Sequence, residues 1–301
     1  MDQAERLRNI IKKQQYQPEV APPMSRVITV TSGKGGVGKT SVSVNLAIAL
    51  SRLGKRVVIL DADFGLANIE IMLGIRPQFN LADLMFRGKS MRDIITYGPE
   101  KIGFISGGSG INEMANLNKT QIVDLVQKMS ELDQLADIII VDTGAGIGNS
   151  VLEFVAASEE VLLVATPEPT SITDAYALLK SLNRNSTYQK TQTVVELIAN
   201  QVRGNKDADE LHEKLGVVVN KFLNIDIEFL GAIPYDDNVS KAILRQEPVV
   251  LSAPNSAAAK AIMEIAAHIG ETELPQTGQG WGIMRLFTGV IRMKFGRNNK
   301  N

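Results

Sequence analysis

Short runs of Val, Ile and Leu alternate along the chain with longer stretches in which apolar residues recur at helical spacing. The short runs predict strands at residues 27–31, 57–61, 102–106, 138–142, 161–165, 194–199 and 228–233. Helix-length stretches lie between them, at residues 42–53, 118–135, 171–182 and 207–222. Most of the strands are almost continuously apolar, as expected of strands covered on both faces. The pattern predicts an α/β fold with a doubly wound, mainly parallel sheet flanked by helices.

Two segments that contain proline interrupt this pattern near the ends of the chain. Residues 17–23 contain three prolines, and residues 271–280 contain Pro275 and Gly278, so neither segment is expected to continue a helix. We therefore predict a short N-terminal helix at residues 1–16, a linker at 17–25 and one large domain at 26–270. A second linker at 271–280 would lead to a C-terminal segment at 281–301.

The composition suits a globular domain and excludes several classes of site. The 301 residues are 44% hydrophobic and 22% charged, which is enough to bury a large core. The chain has no cysteine, so disulfides, thiolate metal sites and iron–sulfur clusters are excluded. Residues 1–20 are polar and no apolar run approaches the roughly 20 residues of a membrane span, so we expect neither a secretory signal nor a spanning helix.

The net charge of -1 is divided unevenly along the chain. Residues 281–301 carry five basic residues and no acid, so the rest of the chain has a net charge of -6. An acidic body argues against broad nucleic-acid binding, and we expect no nucleic-acid partner.

A glycine-rich segment, GKGGVGKT, lies between the first predicted strand and the first predicted helix. In this context backbone N–H groups wrap phosphates, Lys39 reaches the outer phosphates and Thr40 ligates magnesium. The alternative is a glycine-rich turn that binds nothing. The residues predicted to bind nucleotide here are Gly33, Lys34, Gly35, Gly36, Val37, Gly38, Lys39, Thr40 and Ser41.

Acidic residues follow two further predicted strands, at the edge where a doubly wound sheet places its ligands. Asp61 ends the second strand, Asp63 follows it, and Asp142 ends the run Ile-Ile-Ile-Val. Asp142 is placed to hold magnesium through water, and the glycines after it would let the backbone approach a γ-phosphate and move when it leaves. We predict Thr40, Asp61 and Asp142 as the magnesium site. A turn or capping role is the alternative for Asp63.

Lys34 is one lysine more than a phosphate-binding loop requires. With it, residues 34–40 resemble the deviant Walker A motif, KGGxGKT, of the MinD/ParA family of dimerising P-loop ATPases, which are of the SIMIBI type. The resemblance implies that Lys34 acts on the nucleotide of a second subunit in an ATP-bound homodimer. It assigns catalysis to Lys34, Lys39 and Asp63, with Asp63 orienting the attacking water, and places Asn68 with Lys34 at the dimer interface. A solvated loop charge is the alternative for Lys34.

The resemblance is less close at two other positions. Gly144 stands where the family frequently has proline, which leaves the rigidity of the loop after Asp142 open. Asn200 and the segment Pro234-Tyr235-Asp236 match the family's base-contacting positions, although each could be an ordinary strand-end turn. No Asn-Lys-x-Asp guanine signature is present at these positions, so ATP and ADP are the expected nucleotides, with Mg²⁺.

The C-terminal segment has an amphipathic pattern when residues 282–295 are placed on a helical wheel. Basic residues at an exposed, apolar chain end are typical of a helix that lies in an anionic membrane surface. A final core helix is the alternative. The predicted membrane residues are Ile283, Met284, Leu286, Phe287, Val290 and Ile291 on the apolar face, with Arg285 and Arg292 opposite.

The N-terminal residues DQAERLR resemble the activator motif of the FlhG (YlxH) type regulators of flagellar number, a group within the MinD-like ATPases. The motif is short, so chance similarity is the alternative. The resemblance implies that the segment activates the GTPase FlhF and that flagellar C-ring proteins of the FliM/FliY/FliN type are further partners. The residues assigned to partner activation are Asp2, Gln3, Ala4, Leu7 and Arg8.

These features together predict a slow, dimer-dependent ATPase that regulates flagellar placement and number. We expect it to be cytoplasmic and reversibly associated with the inner face of the cell membrane. A ParA-like DNA-segregation ATPase would share the core but would need a basic DNA-binding surface. A MinD-type regulator of the division site would have no use for residues 1–16.

Overall fold

The computed structural model describes residues 24–63, 68–107, 119–185, 188, 193–272, 282–284, 286–288 and 290. These residues form one sheet of eight strands with helices on both faces. The predicted helix at residues 1–16 and most of both predicted linkers lie outside the described residues. Among the described residues, no helix is both long and apolar enough to cross a membrane.

The strands of the sheet follow the order β3-β4-β2-β5-β1-β6-β7-β8, and every neighbouring pair is parallel except β3 with β4. Their bounds are β1 Arg26–Thr31, β2 Val57–Ala62, β3 Thr96–Tyr97, β4 Gly103–Ile105, β5 Ile138–Thr143, β6 Glu160–Ala165, β7 Val194–Val202 and β8 Glu228–Pro234.

Helices connect these strands and cover the sheet. Their bounds are α1 Lys39–Arg52, α2 Asn68–Leu73, α3 Leu81–Phe86, α4 Met91–Ile94, α5 Lys119–Met129, α6 Leu132–Leu135, α7 Asn149–Ala157, α8 Pro169–Asn183, α9 Asn205–Leu223, α10 Asp237–Arg245, α11 Val249–Ser252 and α12 Ala257–Glu271. A short 3₁₀ turn occupies Pro99–Lys101.

The strand order places the functional loops side by side. Strand β1 is the point at which the strand order reverses, with β5, β2 and β4 on one side of it and β6, β7 and β8 on the other. Open α/β sheets bind ligands at such a switch point, outside the carboxyl ends of the strands. The segments after β1, β2 and β5 therefore emerge next to one another, and Asp61 of β2 is in register with Asp142 of β5.

Alternate side chains of each central strand supply two apolar layers. On β2, Val57 and Ile59 join a cluster with α1, α11 and α12, whereas Val58 and Leu60 face a cluster with α3, α4 and α5. Helix α1 is buried on nearly all sides, which explains why its sequence lacks a wide polar face. The sheet is thus covered on both faces, as the continuous apolar runs predicted.

The predicted strands are present, with ends shifted by up to three residues. The short β3 was not predicted, because two residues carry no periodic signal. The single helix predicted at 118–135 is wrong, because α5 ends at Met129 and α6 begins at Leu132. The Ser130 hydroxyl donates to the Gln127 carbonyl at 2.6 Å at this break, so it occupies a carbonyl at the end of α5.

The described part of the C-terminal segment packs onto the domain. Ile283, Leu286 and Phe287 are buried in the cluster beneath α3 and α4, and the Phe287 ring meets Phe154 edge-on with centroids 6.0 Å apart. This is the packing of the core-helix alternative. Arg285, Ile291 and Arg292 lie outside the described residues, while Met284 is 39% exposed and Val290 is partly buried.

Asp133 of α6 connects the two ends of the described chain. Its carboxylate accepts the N–H of Ser25, just before β1, and that of Ile283. Gly282 has φ +100°, and a Cβ there would lie 2.7 Å from Asp133 Oδ1, so only glycine fits this approach. Burial raises the pKa of Asp133 although both N–H groups oppose the shift. The segment is therefore held by a polar contact as well as by apolar packing.

Three charged groups meet at the amino edge of the sheet. Arg26 forms a bidentate ion pair with the buried Glu160, at 2.7 and 2.8 Å, and also donates to the carbonyls of Ile269 and Thr272. Burial and then the charge of Glu160 raise the pKa of Glu196 to about 7. One arginine cannot balance two carboxylates, so the charge of Glu160 disfavours a second charge on Glu196.

We expect Glu196→Gln to stabilise the domain at pH 8. Below its ordinary pKa of 4.5 the wild-type Glu196 is protonated in folded and unfolded chains alike. Between that value and about 7 only the unfolded chain releases the proton, so wild-type stability falls as pH rises. Because Glu196 is partly solvated, the gain for the variant should be about 1 kcal/mol at pH 8 and near zero at pH 4. Urea unfolding across this range measures it.

The matched control is Glu213→Gln, which neutralises an exposed acid on α9. It should change stability little at any pH. A Glu196→Gln variant whose stability runs parallel to that of the wild type from pH 4 to pH 8 would contradict the buried carboxyl pair.

Candidate nucleotide-binding site

The loop between β1 and α1 has a backbone path that two of its glycines make possible. A Cβ at Gly33 would lie 2.2 Å from the carbonyl carbon of Asp174, because the loop packs against the backbone of α8. Gly38 has φ +91° and occupies the N-cap of α1, and a Cβ there would meet the Asn200 amide at 2.4 Å. A loop of this shape directs its N–H groups inward at a helix N-terminus, which is an anion-binding arrangement.

Asp142 is the centre of the polar contacts below the loop. The fully buried carboxylate accepts from Lys39 Nζ at 3.0 Å, from the Thr40 hydroxyl at 2.7 Å and from the Ser43 hydroxyl at 2.9 Å. All three donors are in the first turns of α1. The predicted magnesium residues Thr40 and Asp142 are therefore in direct contact, and the phosphate lysine lies beside them.

Asp61 is the second buried carboxylate of the site. Its Oδ1 accepts the Asp63 N–H at 3.0 Å, and its Oδ2 has no hydrogen-bond partner among the described residues. Burial raises the pKa of Asp61 to about 8, the charge of Asp142 adds to the shift, and the N–H groups of Asp63 and Ile69 oppose it. A buried carboxylate without a counter-charge is costly.

The oxygen set fits magnesium. Mg²⁺ is held by one or two carboxylates, hydroxyls and substrate phosphates, and dedicated protein cages are uncommon for it. Thr40, Asp61 and Asp142 supply two carboxylates and a hydroxyl, and the unpaired oxygen of Asp61 is a free ligand. The described residues contain no group of three His, Cys, Asp or Glu side chains that would form a cage.

Asp63 and Asn68, which the family resemblance assigns to catalysis and to the dimer interface, are in contact. Asn68 donates its amide to Asp63 Oδ2 at 3.1 Å, across the segment 64–67 that lies outside the described residues. A Cβ at Gly144 would stand 3.5 Å from Asp63 Oδ1, so Asp63 borders the loop after β5. That loop is bonded to the phosphate-binding loop, since Gly146 N–H donates to the Ser32 carbonyl at 2.9 Å.

Lys34 has partners that the sequence did not indicate. Its ammonium donates to Glu168 Oε2 at 2.8 Å and to the Thr170 hydroxyl at 2.9 Å, at the start of α8. Lys39, by contrast, is buried against Asp142. The two lysines of the motif therefore have different surroundings: Lys39 contacts the buried Asp142, whereas Lys34 contacts the start of α8.

The predicted base-contacting residues have defined structural roles. Asn200 donates to the Val37 carbonyl at 2.7 Å and so supports the phosphate-binding loop. Asp236 caps α10, accepting from Asn238 and from the Ala258 N–H, which is the turn role considered for this segment. Tyr235 is 61% exposed, and its hydroxyl donates to Asp237. Base contact by Asn200, Pro234, Tyr235 and Asp236 stays a prediction.

Three residues of the site were missed from the sequence. Ser43 lies one turn after Lys39 on the same face of α1, so a 3.6-residue period could have indicated it. Glu168 and Thr170 follow β6 without any recognisable motif, and only the sheet order brings them to Lys34. The partner-activation residues Asp2 to Arg8 lie outside the described residues.

Comparison with known proteins agrees with this geometry. The family model for ParA, described as "NUBPL iron-transfer P-loop NTPase", matches residues 23–270. The chain is 43% identical to "Antiactivator FleN" of Pseudomonas aeruginosa over 255 residues, which is 85% of this chain and 90% of FleN. It is 33% identical to "Flagellum site-determining protein YlxH" of Helicobacter pylori over 262 residues, 84% of this chain and 87% of YlxH.

A solved structure of the septum site-determining protein MinD with Mg-ADP from Pyrococcus horikoshii superposes with a TM-score of 0.66 at 25% identity. The match covers 82% of this chain and 97% of the MinD chain. The fold, the phosphate-binding loop and the relatives agree. The chain belongs to the ParA family, in its MinD-like, FlhG-type group, and is a P-loop ATPase.

Proposed function

We propose that this chain is an ATP-dependent switch that dimerises around bound ATP, associates with an anionic membrane and regulates the placement and number of flagella. The observation that carries the switch is the placement of Lys34, which is held at the start of α8 and away from Asp142. The nucleotide site of a single chain then contains one lysine, Lys39, that contacts the buried Asp142. A second subunit would complete the positive charge that phosphoryl transfer requires.

Each residue of the site has a separate proposed role in hydrolysis. Lys39 and the N–H groups of the loop bind the phosphates, and Asp142 holds the Lys39 ammonium in position. Magnesium at Thr40, Asp61 and Asp142 would neutralise charge on the transferring phosphoryl group. Asp63 would orient the attacking water, because it borders the loop that follows β5 and accepts a hydrogen bond from Asn68. Lys34 would add charge from the partner subunit.

Membrane association requires a change in the C-terminal segment. Ile283, Leu286 and Phe287 cannot be buried in the domain and in a bilayer at once. Each buried side chain of this kind is worth roughly 1.5–3 kcal/mol, and an acyl layer offers similar apolar burial. Release therefore exchanges one apolar environment for another, at the cost of the Asp133 contact with the Ile283 N–H. Nucleotide-dependent dimerisation would tip this balance.

The flagellar role is supported by the relatives named FleN and YlxH and by the N-terminal motif. We propose FlhF and the C-ring proteins as partners, the cytoplasm as the compartment and the inner membrane face as the site of action. Co-sedimentation with anionic vesicles and DNA binding, each with and without ATP, distinguish this function from DNA segregation. Binding to DNA in place of vesicles would favour the ParA-like alternative.

Replacing Lys34 tests dimerisation. Lys34→Ala should abolish ATP-induced dimerisation and lower ATP turnover at least tenfold, because the charge supplied in trans is lost. Monomer nucleotide binding should stay within about threefold, since Lys39 and Asp142 are untouched. Light scattering and phosphate release measure these effects, with Lys260→Ala on α12 as an exposed-lysine control. A variant that dimerises like the wild type removes the trans role.

Replacing Asp61 tests the cation site with effects of opposite sign. Without nucleotide, Asp61→Asn should stabilise the protein by on the order of 2 kcal/mol at pH 8, because between the ordinary pKa of 3.8 and about 8 only the unfolded wild-type chain ionises Asp61, which lowers wild-type stability. With Mg²⁺ and ATP the variant should gain less stability than the wild type, since one ligand is gone. Thermal unfolding with ATP and either Mg²⁺ or EDTA measures both. An unchanged magnesium response would exclude Asp61 as a ligand.

A peptide tests the N-terminal segment apart from the ATPase domain. A peptide of residues 1–20 should stimulate GTP hydrolysis by FlhF, and Gln3→Ala should reduce the stimulation severalfold, because a neutral donor and acceptor suits ordering of a water at a GTP site. The same substitution in the full chain should leave ATP turnover unchanged. If the chain lacking residues 1–20 stimulates FlhF as well as the full chain does, the activator lies elsewhere.

A further inference from the structure

The C-terminal segment fills an apolar groove on the surface of the domain. Ile283, Leu286 and Phe287 are at most 4% exposed, and all three belong to the apolar cluster that also contains residues of α3 to α7. They stand at positions i, i+3 and i+4 of a helical stretch, in which the Thr288 hydroxyl donates to the Met284 carbonyl at 2.7 Å. We define the C-terminal groove as the surface of the domain that these three buried side chains cover.

Membrane association would leave the C-terminal groove uncovered. In the proposed function the three buried side chains move into lipid while the domain stays in water. The ring of Phe154, which Phe287 meets edge-on, would then face solvent together with the apolar side chains around it. Soluble proteins seldom expose a contiguous apolar patch larger than roughly a few hundred Å². Another apolar segment that covers the groove would therefore stabilise the membrane-bound chain.

The chain enters the domain at one end of this groove. Ser25 donates its N–H to the Asp133 carboxylate at 3.2 Å and its hydroxyl to the Ala136 carbonyl at 2.8 Å. The same carboxylate accepts the N–H of Ile283, where the C-terminal segment begins its packing. The contact of Ser25 with Ala136 does not involve the C-terminal segment, so it would persist after that segment is released.

The connection to residues 1–16 is long enough to reach the whole groove. Residues 17–24 join residues 1–16 to Ser25. Eight extended residues span at most about 29 Å. The helical stretch from Ile283 to Val290 also has eight residues, and a helix of that length extends about 12 Å.

Residues 1–16 have the apolar spacing of the segment that fills the groove. Leu7, Ile10 and Ile11 stand at positions i, i+3 and i+4, as the three buried residues of the C-terminal segment do. Gln14 stands at i+7, where the C-terminal segment has Val290, which is only partly buried. A short amphipathic helix of this kind is marginal alone in water and is stabilised by packing its apolar face.

The charge of residues 1–16 complements that of the domain. These residues contain four bases and two acids, a net charge of +2. Residues 1–280 have a net charge of -6, so residues 17–280 carry -8. Release of the C-terminal segment would also take the Ile283 N–H from the Asp133 carboxylate. A basic segment in the groove supplies charged donors that can replace it.

We propose that residues 1–16 occupy the C-terminal groove when the C-terminal segment leaves it for the membrane. The inference rests on the proposed membrane binding and adds a regulation of the N-terminal segment. While the C-terminal segment fills the groove, residues 1–16 are available to a partner. While the chain is on the membrane, their apolar face is covered by the domain, so the two segments alternate in one groove.

The first test releases the C-terminal segment without lipid or nucleotide. In the full chain, Leu286→Asp with Phe287→Asp would bury two unpaired charges in the groove, so the segment should leave it. Amide hydrogen exchange of residues 5–14 should then be about tenfold slower than in the wild type or slower still, because a segment that is docked about 90% of the time exchanges only when it opens. Exchange as fast as that of the wild type would overturn the inference.

The apolar face of residues 1–16 is tested in the same released chain. Adding Ile10→Asn with Ile11→Asn should abolish the protection and raise the fluorescence of 1-anilinonaphthalene-8-sulfonate severalfold, because the groove is then uncovered. The matched control is Asn9→Ser with Gln17→Ser, which changes two polar residues nearby and should keep the protection. Protection that survives the loss of both isoleucines has another cause, and the inference is then wrong.

The second test uses the chain with its natural C-terminal segment, bound to vesicles of phosphatidylcholine and phosphatidylserine in ATP. Residues 5–14 should be protected there as well, and Ile10→Asn with Ile11→Asn should remove the protection without changing vesicle affinity. A parallel loss of vesicle affinity would place residues 1–16 in the lipid and overturn the inference. This test decides the question if circular dichroism shows that the released chain does not fold.

The two tests also separate this inference from the proposed function. A wild-type chain that does not bind anionic vesicles in ATP contradicts the proposed membrane association. Protection of residues 5–14 in the released chain would still assign the groove to them. Vesicle binding without protection in either test leaves the membrane association intact and removes the inference.

Discussion

The buried carboxylate of Asp142 is the contact on which the rest of the site depends. It lies in the centre of the sheet and is compensated entirely by groups from the first turns of α1, Lys39, Thr40 and Ser43. Removing one partner of a buried ion pair typically costs about 3–5 kcal/mol. The phosphate-binding loop therefore cannot move away from β5 without exposing this charge imbalance, which keeps the loop shaped for an anion.

Asp61 connects the stability of this arrangement with the proposed cation. The register of β2 with β5 puts two carboxylates on neighbouring strands, and Lys39 contacts only one of them. The pKa of Asp61 rises to about 8 because burial and Asp142 both oppose its ionisation. A bound cation would reverse that effect, so the residue that costs stability in the domain alone would become a ligand in the proposed magnesium site.

The sequence predicted the sheet and the residues that end its central strands, because apolar runs and glycine-rich turns are local signals. It brought Thr40 and Asp142 together only as predicted magnesium ligands, and the structure adds a direct hydrogen bond between them at 2.7 Å. It did not predict Glu168 as the partner of Lys34, which depends on β6 lying beside β1. The division of 118–135 into two helices occurs at Ser130, whose hydroxyl donates to the Gln127 carbonyl, and the apolar periodicity does not mark this break.

The C-terminal segment is a second feature that sequence periodicity alone did not determine. Its apolar residues fit a membrane helix and a core helix equally well, because periodicity reports that a face is apolar and not what covers it. The burial of Ile283, Leu286 and Phe287 answers that question for the described structure.

Arg26 has a consequence for the appendages at both ends of the chain. It begins β1, and its guanidinium also binds the carbonyls of Ile269 and Thr272, where α12 ends. The N-terminal and C-terminal segments therefore leave the domain at one point, on the amino edge of the sheet and opposite the nucleotide. Whatever one segment binds is tethered beside whatever the other binds, at the millimolar effective concentration that short connections provide. A weak contact at either terminus then suffices to bring two ligands together.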